Sequence, residues 1–506
     1  MKMLVLILTL IASGLYCNAQ HVNIPDDHFL KALIERGVDT NADSLIDIAE
    51  AAAVNKLFLS GYSINDLTGI EAFVNLDTLF CQQNMLTTLD VSGNSSLLYL
   101  ECDFNQLTSF NFSGCNKLEW LSCSNNQFTN LDVSACTNLV YLLCPFNKLT
   151  SLDVSKNVVL SRLVCYSNQL TGLDVSKNIA LHELDCSSNQ LTGLDLSQSD
   201  SLEYLSVNGN QLTNLNVAAC SNLKGLSCYS NQLSGLDVSG NSILTSLVCM
   251  NNQLTHLELD PGLFNLDCSF NQLSDLDISS IDSLSELDCS SNQLTGLDFS
   301  SNTKLIRVVC TSNQLTGLDL SNHSALRMVI CDQNQLTDLN LTGCNNIITL
   351  NCSGNLLTSL NLSTNNNLMQ RWSRIDGIIN LSEMPSLVEV CVWITPFPPV
   401  GVPGNLIAEN SPNIHFSTDC LTTSSDDREK DIVSVHPNPA TNYLLINVSD
   451  LTEFTTIELL DMQGQSVLFR NLYENRKIAV NGLNPGLYIY KIRNGKKVHS
   501  GKVVVE

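Results

Sequence analysis

The 506-residue sequence predicts a repeat solenoid: a coil of short parallel β-strands with an irregular opposite side, a short helical N-terminal cap, and a small C-terminal β-sandwich. Three observations carry this reading. A unit of about 21 residues, as in "LHELDCSSNQLTGLDLSQSDS" at 181–201, returns through the middle of the chain. Each return holds a short apolar/polar alternation: in "ELDCS", residues 183–187, Leu184 and Cys186 turn inward while Glu183, Asp185 and Ser187 stay outside. From 432 to 506 the repeat is gone, and short runs such as "YLLINV", "TIELLDM", "LYIYKI" and "KVVVE" alternate with turns.

The chain opens on "MKMLVLILTLIASGLYCNAQ", with one early lysine, an apolar run and the small-residue ending before Gln20. Residues 1–19 therefore read as a cleaved secretory signal. Acylation of Cys17 is the weaker alternative, because bulky Tyr16 precedes it. No later segment offers the roughly 18 apolar residues a membrane-spanning helix needs, so no transmembrane segment is expected in the mature chain.

Residues 20–56 form the expected helical cap. "PDDHFLKALIERG" begins with acidic capping residues and ends in glycine, and "AEAAAV" supplies a second short helix. Between them "DTNADSLIDIAE", residues 39–50, resembles an EF-hand loop. Asp39, Asn41, Asp43, the Leu45 carbonyl, Asp47 and Glu50 fall at positions 1, 3, 5, 7, 9 and 12 of that pattern, which implies calcium. Ser44 departs from it, standing where the sharp turn wants glycine. A plain capping turn is the alternative, and either way the segment stiffens the first end of the array.

The array spans 57–368. Cysteine recurs at 81, 102, 123, 144, 165 and 186, Val207 takes the next place, and the series resumes at 228, 249, 268, 289, 310, 331 and 352. Three residues after each of these fourteen positions stands an asparagine, from Asn84 to Asn355. The unit L-x-x-L-x-C-x-x-N-x-L-T-x-L-D-V-S resembles the leucine-rich repeat, with cysteine where that family often carries leucine. One unit buries little by itself, whereas stacked units share a core.

The repeated thiol reads as a small buried hydrophobe. A disulfide chain is the rival, but ladder neighbours lie about 4.8 Å apart and point the same way, too wide for the roughly 3.8 Å between Cβ atoms of a relaxed bridge. Cys115, Cys136, Cys220 and Cys344 form a second column, alternating with Asn94, Asn157, Asn178 and Asn241. The asparagine column is expected to satisfy backbone groups where the chain bends out of the strand. An acidic column, Asp90, Asp132, Asp153, Asp174, Asp195, Asp237, Glu258, Asp277, Asp298 and Asp319, is filled elsewhere by Asn111, Asn216, Asn340 and Asn361, so an accepting oxygen in a turn matters more there than charge.

After 368 the pattern decays into "WITPFPPVGVPGN", and 369–420 are expected to cap the far end without regular strands. Cys391 and Cys420 lie outside both columns, and a bridge between them would staple that end. Residues 421–431, "LTTSSDDREKD", read as a linker. The tail, 432–506, is denser in basic residues, and its motifs "HPNPATNYLLI", "IELLDMQGQ" and "LNPGLYIYKI" resemble the type A sorting domain of the type IX secretion system of Bacteroidetes. Pro437, Asn438, Pro439, Gly464, Gly486 and Tyr488 fall on that pattern. The resemblance implies type IX secretion machinery as a partner, and release or attachment at the outer cell surface.

With 50 acidic against 25 basic residues the chain should repel nucleic acid. The eight histidines are scattered, and no HExxH run, mature CxxC pair or phosphate loop appears, so no catalytic residues are assigned. The outward strand positions hold more information, because packing does not dictate them. Tyr99, Trp120, Tyr141, Arg162, Glu183 and Tyr204 follow one column, with Leu143, Val164, Tyr166 and Tyr229 beside it. A second group, Val248, Met250, Arg307, Val309, Met328 and Ile330, lies further along. A concave face carrying Tyr99, Trp120, Tyr141, Tyr166, Tyr204, Tyr229, Arg307 and Met328 predicts non-catalytic recognition or adhesion toward a protein or a polysaccharide. The competing reading is a structural or passive coat protein, in which aromatic ladders merely stabilise neighbouring strands.

Overall fold

The computed structural model describes residues 20–369, 377–399, 405–418, 433–436, 439–448, 455–472, 477–494 and 497–505. The expected signal segment 1–19, the linker 421–431, Cys420, Pro437 and Asn438 lie outside them. The chain divides into two compact units, Met1–Gln232 and Leu233–Glu506.

The first unit starts with helix α1, Asp27–Glu35, which buries Phe29, Ala32 and Leu33 at helical spacing. Asp26 caps it, accepting the His28 and Phe29 amides at 2.9 Å. Its other oxygen accepts Asn65 and Asp66 amides at 2.8 and 3.1 Å, so one carboxylate both starts the helix and ties it to the first repeat. Helix α2, Ile48–Ala53, follows through a capping box between Asp47 and Glu50.

Strand β1, Lys56–Phe58, pairs in parallel with β2, Thr78–Phe80, and β2 with Tyr99–Glu101. Parallel pairing continues in register through Trp120–Ser122, Tyr141–Leu143, Arg162–Val164, Glu183–Asp185, Tyr204–Ser206 and Gly225–Ser227. Every central residue of these strands is a buried leucine, and the cysteine two positions later is fully buried wherever it occurs. Ser187 differs from expectation: although it follows the strand on the outward side, it is buried, its hydroxyl folded down onto Asp185 at 2.6 Å.

In the second unit the same pairing runs from Ser246–Val248 through Asn265–Asp267, Glu286–Asp288, Arg307–Val309 and Met328–Ile330 to Thr349–Asn351. The expected loss of regular strands after 368 is corrected. Leu350 pairs with Ile379 and Ile379 with Leu406, and on the adjoining side Ser359–Asn361 pairs with Glu389–Cys391 and that strand with His415–Ser417. Pro396, Pro398 and Pro399 follow the strand Glu389–Cys391 and lie outside every described strand, where a missing N–H costs no ladder bond.

The tail holds two antiparallel groups of strands. One is Val433–His436, Tyr443–Val448 and Lys477–Ala479; the other joins Ser466–Asn471, Thr456–Leu460, Gly486–Asn494 and Lys497–Val505. Leu444, Ile446, Ile457, Leu459, Ile478, Ile492 and Val503 from both sheets share one core, which makes a small β-sandwich.

Candidate binding face of the array

Within each unit the repeated polar residues are consumed by the scaffold. Asn126 Nδ2 donates to the carbonyls of Cys102 and Cys123, both at 3.1 Å, and its Oδ1 accepts the Leu107 amide at 2.9 Å. Asn105, Asn147, Asn189 and Asn292 repeat this arrangement. In the second column Asn157 donates to the Val133 carbonyl at 3.1 Å, and where cysteine replaces asparagine the Cys115 thiol makes the equivalent bond to Val91 at 3.3 Å. The acidic column closes turns: Asp90, Asp132 and Asp153 accept amides two residues on at 2.9 to 3.0 Å, and Asn216 does the same. The Ser92 and Ser134 hydroxyls with their amides, and the Ser155 amide with its hydroxyl, hold the three carboxyls below their ordinary range.

The thiols have no reactive setting. Seventeen described cysteines are buried thiols outside any disulfide, so the ladder is not a disulfide chain. Burial pushes Cys144, Cys186 and Cys228 up to about 12, leaving them protonated at neutral pH. Cys391 is the exception among the described residues and is disulfide-bonded.

The loop 39–50 is closed by its own hydrogen bonds. Asp39 accepts the Asp43 and Ser44 amides, Asn41 the Asp43 amide and Asp43 the Leu45 amide. Ser44 adopts φ +68°, the left-handed turn for which glycine is usual. Asp47 caps α2, and Glu50 accepts the Thr40 amide at 2.7 Å, the Thr40 hydroxyl at 2.8 Å and the Asp47 amide at 3.0 Å. The backbone thus has the turn an EF-hand needs, while the carboxylates are spent on amides. No group of three or more acidic, His or Cys side chains placed to hold a metal ion occurs among the described residues.

What remains free of scaffold duty is the outer side of the sheet. In the first unit Tyr99, Trp120 and Tyr141 stand on successive strands in register. Tyr99 is 40% exposed, and the Trp120 and Tyr141 rings, half-buried, lie 4.8 Å apart at 38°. Trp120 Nε1 is shut from solvent with no hydrogen-bond partner. Tyr166 meets Phe146 edge-on at 5.1 Å. Beyond this stripe the surface turns charged: Arg162 pairs with Glu183 at 2.9 Å and Lys224 with Glu203 at 2.8 Å. Tyr204 is exposed, and Gly225 on the next strand leaves room for its ring, since a Cβ there would come within 3.2 Å of it. Tyr229 is half-buried.

Three phenylalanines were not singled out by sequence patterning. Phe104, Phe146 and Phe270 occupy the turn position before the column asparagine, where φ is +53° to +54° and other repeats place Ser, Asn, Gln or Gly. They are 56, 48 and 57% exposed. A bulky side chain in this region costs about 1 kcal/mol or more and gains little burial, so fold stability does not account for it. The signal available in sequence was the departure of these three residues from the small polar consensus of their column.

In the second unit Arg307 pairs with Asp288 at 3.3 Å, and Val248, Met250, Met328 and Ile330 are half-buried. Two residues expected in the exposed patches are instead covered. Val164 and Val309 are 7 and 8% exposed, because short β-branched side chains sink between the taller members of a tight ladder.

In the tail Gly464 takes φ +80° in the turn between antiparallel strands, Gly486 opens a strand, and Pro439 is exposed. Tyr488 is buried with its hydroxyl donating to the Asn484 carbonyl at 2.7 Å. Among the described residues no helix is long and apolar enough to cross a membrane.

Comparison with known proteins agrees with this organisation. Residues 434–506 match the secretion system C-terminal sorting domain family. The functional domain of InlJ from Listeria monocytogenes, which includes a cysteine ladder, is similar in structure: TM-score 0.61 and 28% identity, over 96% of this chain and 98% of that one. The internalin InlF from Listeria monocytogenes shares 23% identity over 60% of this chain and 95% of its own, with a TM-score of 0.53. The plant peptide hormone receptor RGFR1, solved in complex with RGF2, shares 21% identity over 69% of this chain and 61% of its own, with a TM-score of 0.52. No curated protein matches the chain.

Proposed function

We propose that this chain, a leucine-rich repeat protein carrying a type IX secretion sorting tail and exported to the cell surface or the medium, recognises a partner on the aromatic face of its first unit. It acts by binding and not by catalysis. The observation that carries this is the in-register stripe Tyr99, Trp120 and Tyr141, extended to the strand ends by Phe104 and Phe146 in backbone positions that disfavour them. Such rigid rings serve as anchors for a partner surface. A protein partner suits them better than a polysaccharide. Sugar stacking needs open ring faces, whereas the Trp120 and Tyr141 faces are turned partly toward each other.

Retention of the full chain on intact cells and on a panel of polysaccharides, beside a Tyr99→Ala/Trp120→Ala/Tyr141→Ala variant of confirmed fold, tests the reading. Retention on cells that the variant loses supports it, and competition by soluble sugar would shift the partner to a glycan. Equal behaviour of the two proteins would favour a structural coat, in which the ring contacts serve only the ladder.

A further inference from the structure

We infer a second binding surface, at the end of the sheet beyond the aromatic stripe: the open backbone edge of β1 accepts an extended acidic peptide segment as an added strand. Strand β1 pairs with β2 through Asn55, Leu57 and Leu59. Asp77 and Thr78 amides donate to the Asn55 carbonyl at 2.8 and 3.2 Å, and the Leu59 amide donates to the Phe80 carbonyl at 2.7 Å. Because successive backbone groups of a strand point to opposite sides, those of Lys56 and Phe58 face away from β2. Among the described residues no strand pairs with that side. β2, by contrast, is flanked on both sides, by β1 and by Tyr99–Glu101.

The edge is also accessible. A pocket of about 440 Å³ lies along it, lined by the end of α1 at Arg36, Gly37 and Val38 and by Val54 through Phe58. Its charged lining residues, Arg36 and Lys56, are both basic, and no carboxylate lines it. In a chain of net charge −25 this is a local inversion of sign. Arg36 rests 5.6 Å from the Tyr62 ring centre, and neither cation has a carboxylate partner among the described ion pairs.

These features select the occupant. Unpaired amides and carbonyls at a strand edge recruit extended backbone irrespective of sequence. The side chains then decide which backbone is admitted. Lys56 and Arg36 favour a strand bearing carboxylates. A second copy docking edge to edge would instead bring two such cationic pairs together, so the surface fits an acidic segment of a different chain.

The test uses the full chain and a fluorescein-labelled, capped octapeptide of alternating Asp and Val, read by fluorescence anisotropy at low and moderate salt. Binding of this peptide, at least tenfold weaker for the same peptide with Lys in place of Asp, and weaker again for a form N-methylated at every internal residue so that both edges are blocked, is the expected result. An Arg36→Glu/Lys56→Glu variant should reverse the preference between Asp and Lys peptides, which a merely unfolded variant would not do. Unchanged binding by the N-methylated peptide or by the double variant would overturn the assignment, as would no binding at all. Concentration-dependent dimerisation of the peptide-free chain, abolished by the double variant, would give the edge to a second copy and also overturn it. Lys56 stands in the outward column two strands from Tyr99, across Thr78, whereas Arg36 lies off the sheet, so retention of an Arg36→Glu single variant on cells reports on the aromatic face independently.

Discussion

Asn126 and Leu107 sit in successive repeats, and the Asn126 side-chain oxygen accepts the Leu107 amide at 2.9 Å while its nitrogen holds the carbonyls of Cys102 and Cys123. Asn126→Ala removes these bonds, together with one to the Ser124 carbonyl at 3.2 Å, and leaves buried backbone partners unmet. A loss of about 3 kcal/mol is expected, read as a lower urea midpoint. Asn126→Asp should not rescue it at neutral pH, because an ionised carboxylate has no proton to donate to the two carbonyls.

The buried thiols predict both inertness and an alkaline limit. Alkylation of the native protein at pH 8 should leave all seventeen described buried thiols unlabelled, with labelling only after unfolding. Burial raises the Cys144 and Cys186 thiols to about 12, above the 9.0 of an exposed thiol. The unfolded chain therefore gives up protons first as pH rises, and stability present below about pH 9 is lost progressively toward pH 12. Cys144→Val, copying Val207, should cost less than about 1.5 kcal/mol, whereas Cys144→Ser buries a hydroxyl and should cost roughly 1–3 kcal/mol.

At the N-terminal cap, Glu50→Gln should lower Tm whether or not metal is present, since the carboxylate serves Asp47, Thr40 and Asn41 donors. The Asp47 amide, first among these, holds the Glu50 carboxyl below its usual range. Its stabilising contribution is present above the unfolded-state carboxyl pKa and fades as pH falls through the lower folded-state value. A calcium site at Asp39–Glu50 would add a Tm rise in calcium over EDTA that Glu50→Gln abolishes. Equal Tm in both media would leave the loop as a hydrogen-bonded cap.

Removal of 432–506 should stop export, measured by cell fractionation, while the array keeps its thiol protection. Tyr488→Phe removes the hydrogen bond to the Asn484 carbonyl and should cost the tail about 1 kcal/mol without changing that location. Peptide mapping without reductant should find Cys391 in a bridge, with Cys420 as the expected partner.

The repeat made the coil legible from sequence. A cysteine column interrupted by Val207 and an asparagine column without a gap can only stack, since an isolated unit buries almost nothing. The inward turn of Leu184 and Cys186 and the export tail were legible for the same reason: strand alternation and turn motifs are local. What the ladder does with its outer surface is not local. Val164 and Tyr99 both alternate outward, yet one is covered and the other open, because exposure depends on the height of neighbours 21 residues away. Pro396, Pro398 and Pro399 look like strand breakers until the pairing of Leu350, Ile379 and Leu406 shows that they lie outside the strands. The left-handed turns of Phe104 and Phe146 and the empty edge of β1 likewise belong to tertiary structure. Sequence by itself determined which residues must be buried together; only the folded chain decided which of the remainder stay available, because availability is what packing leaves over.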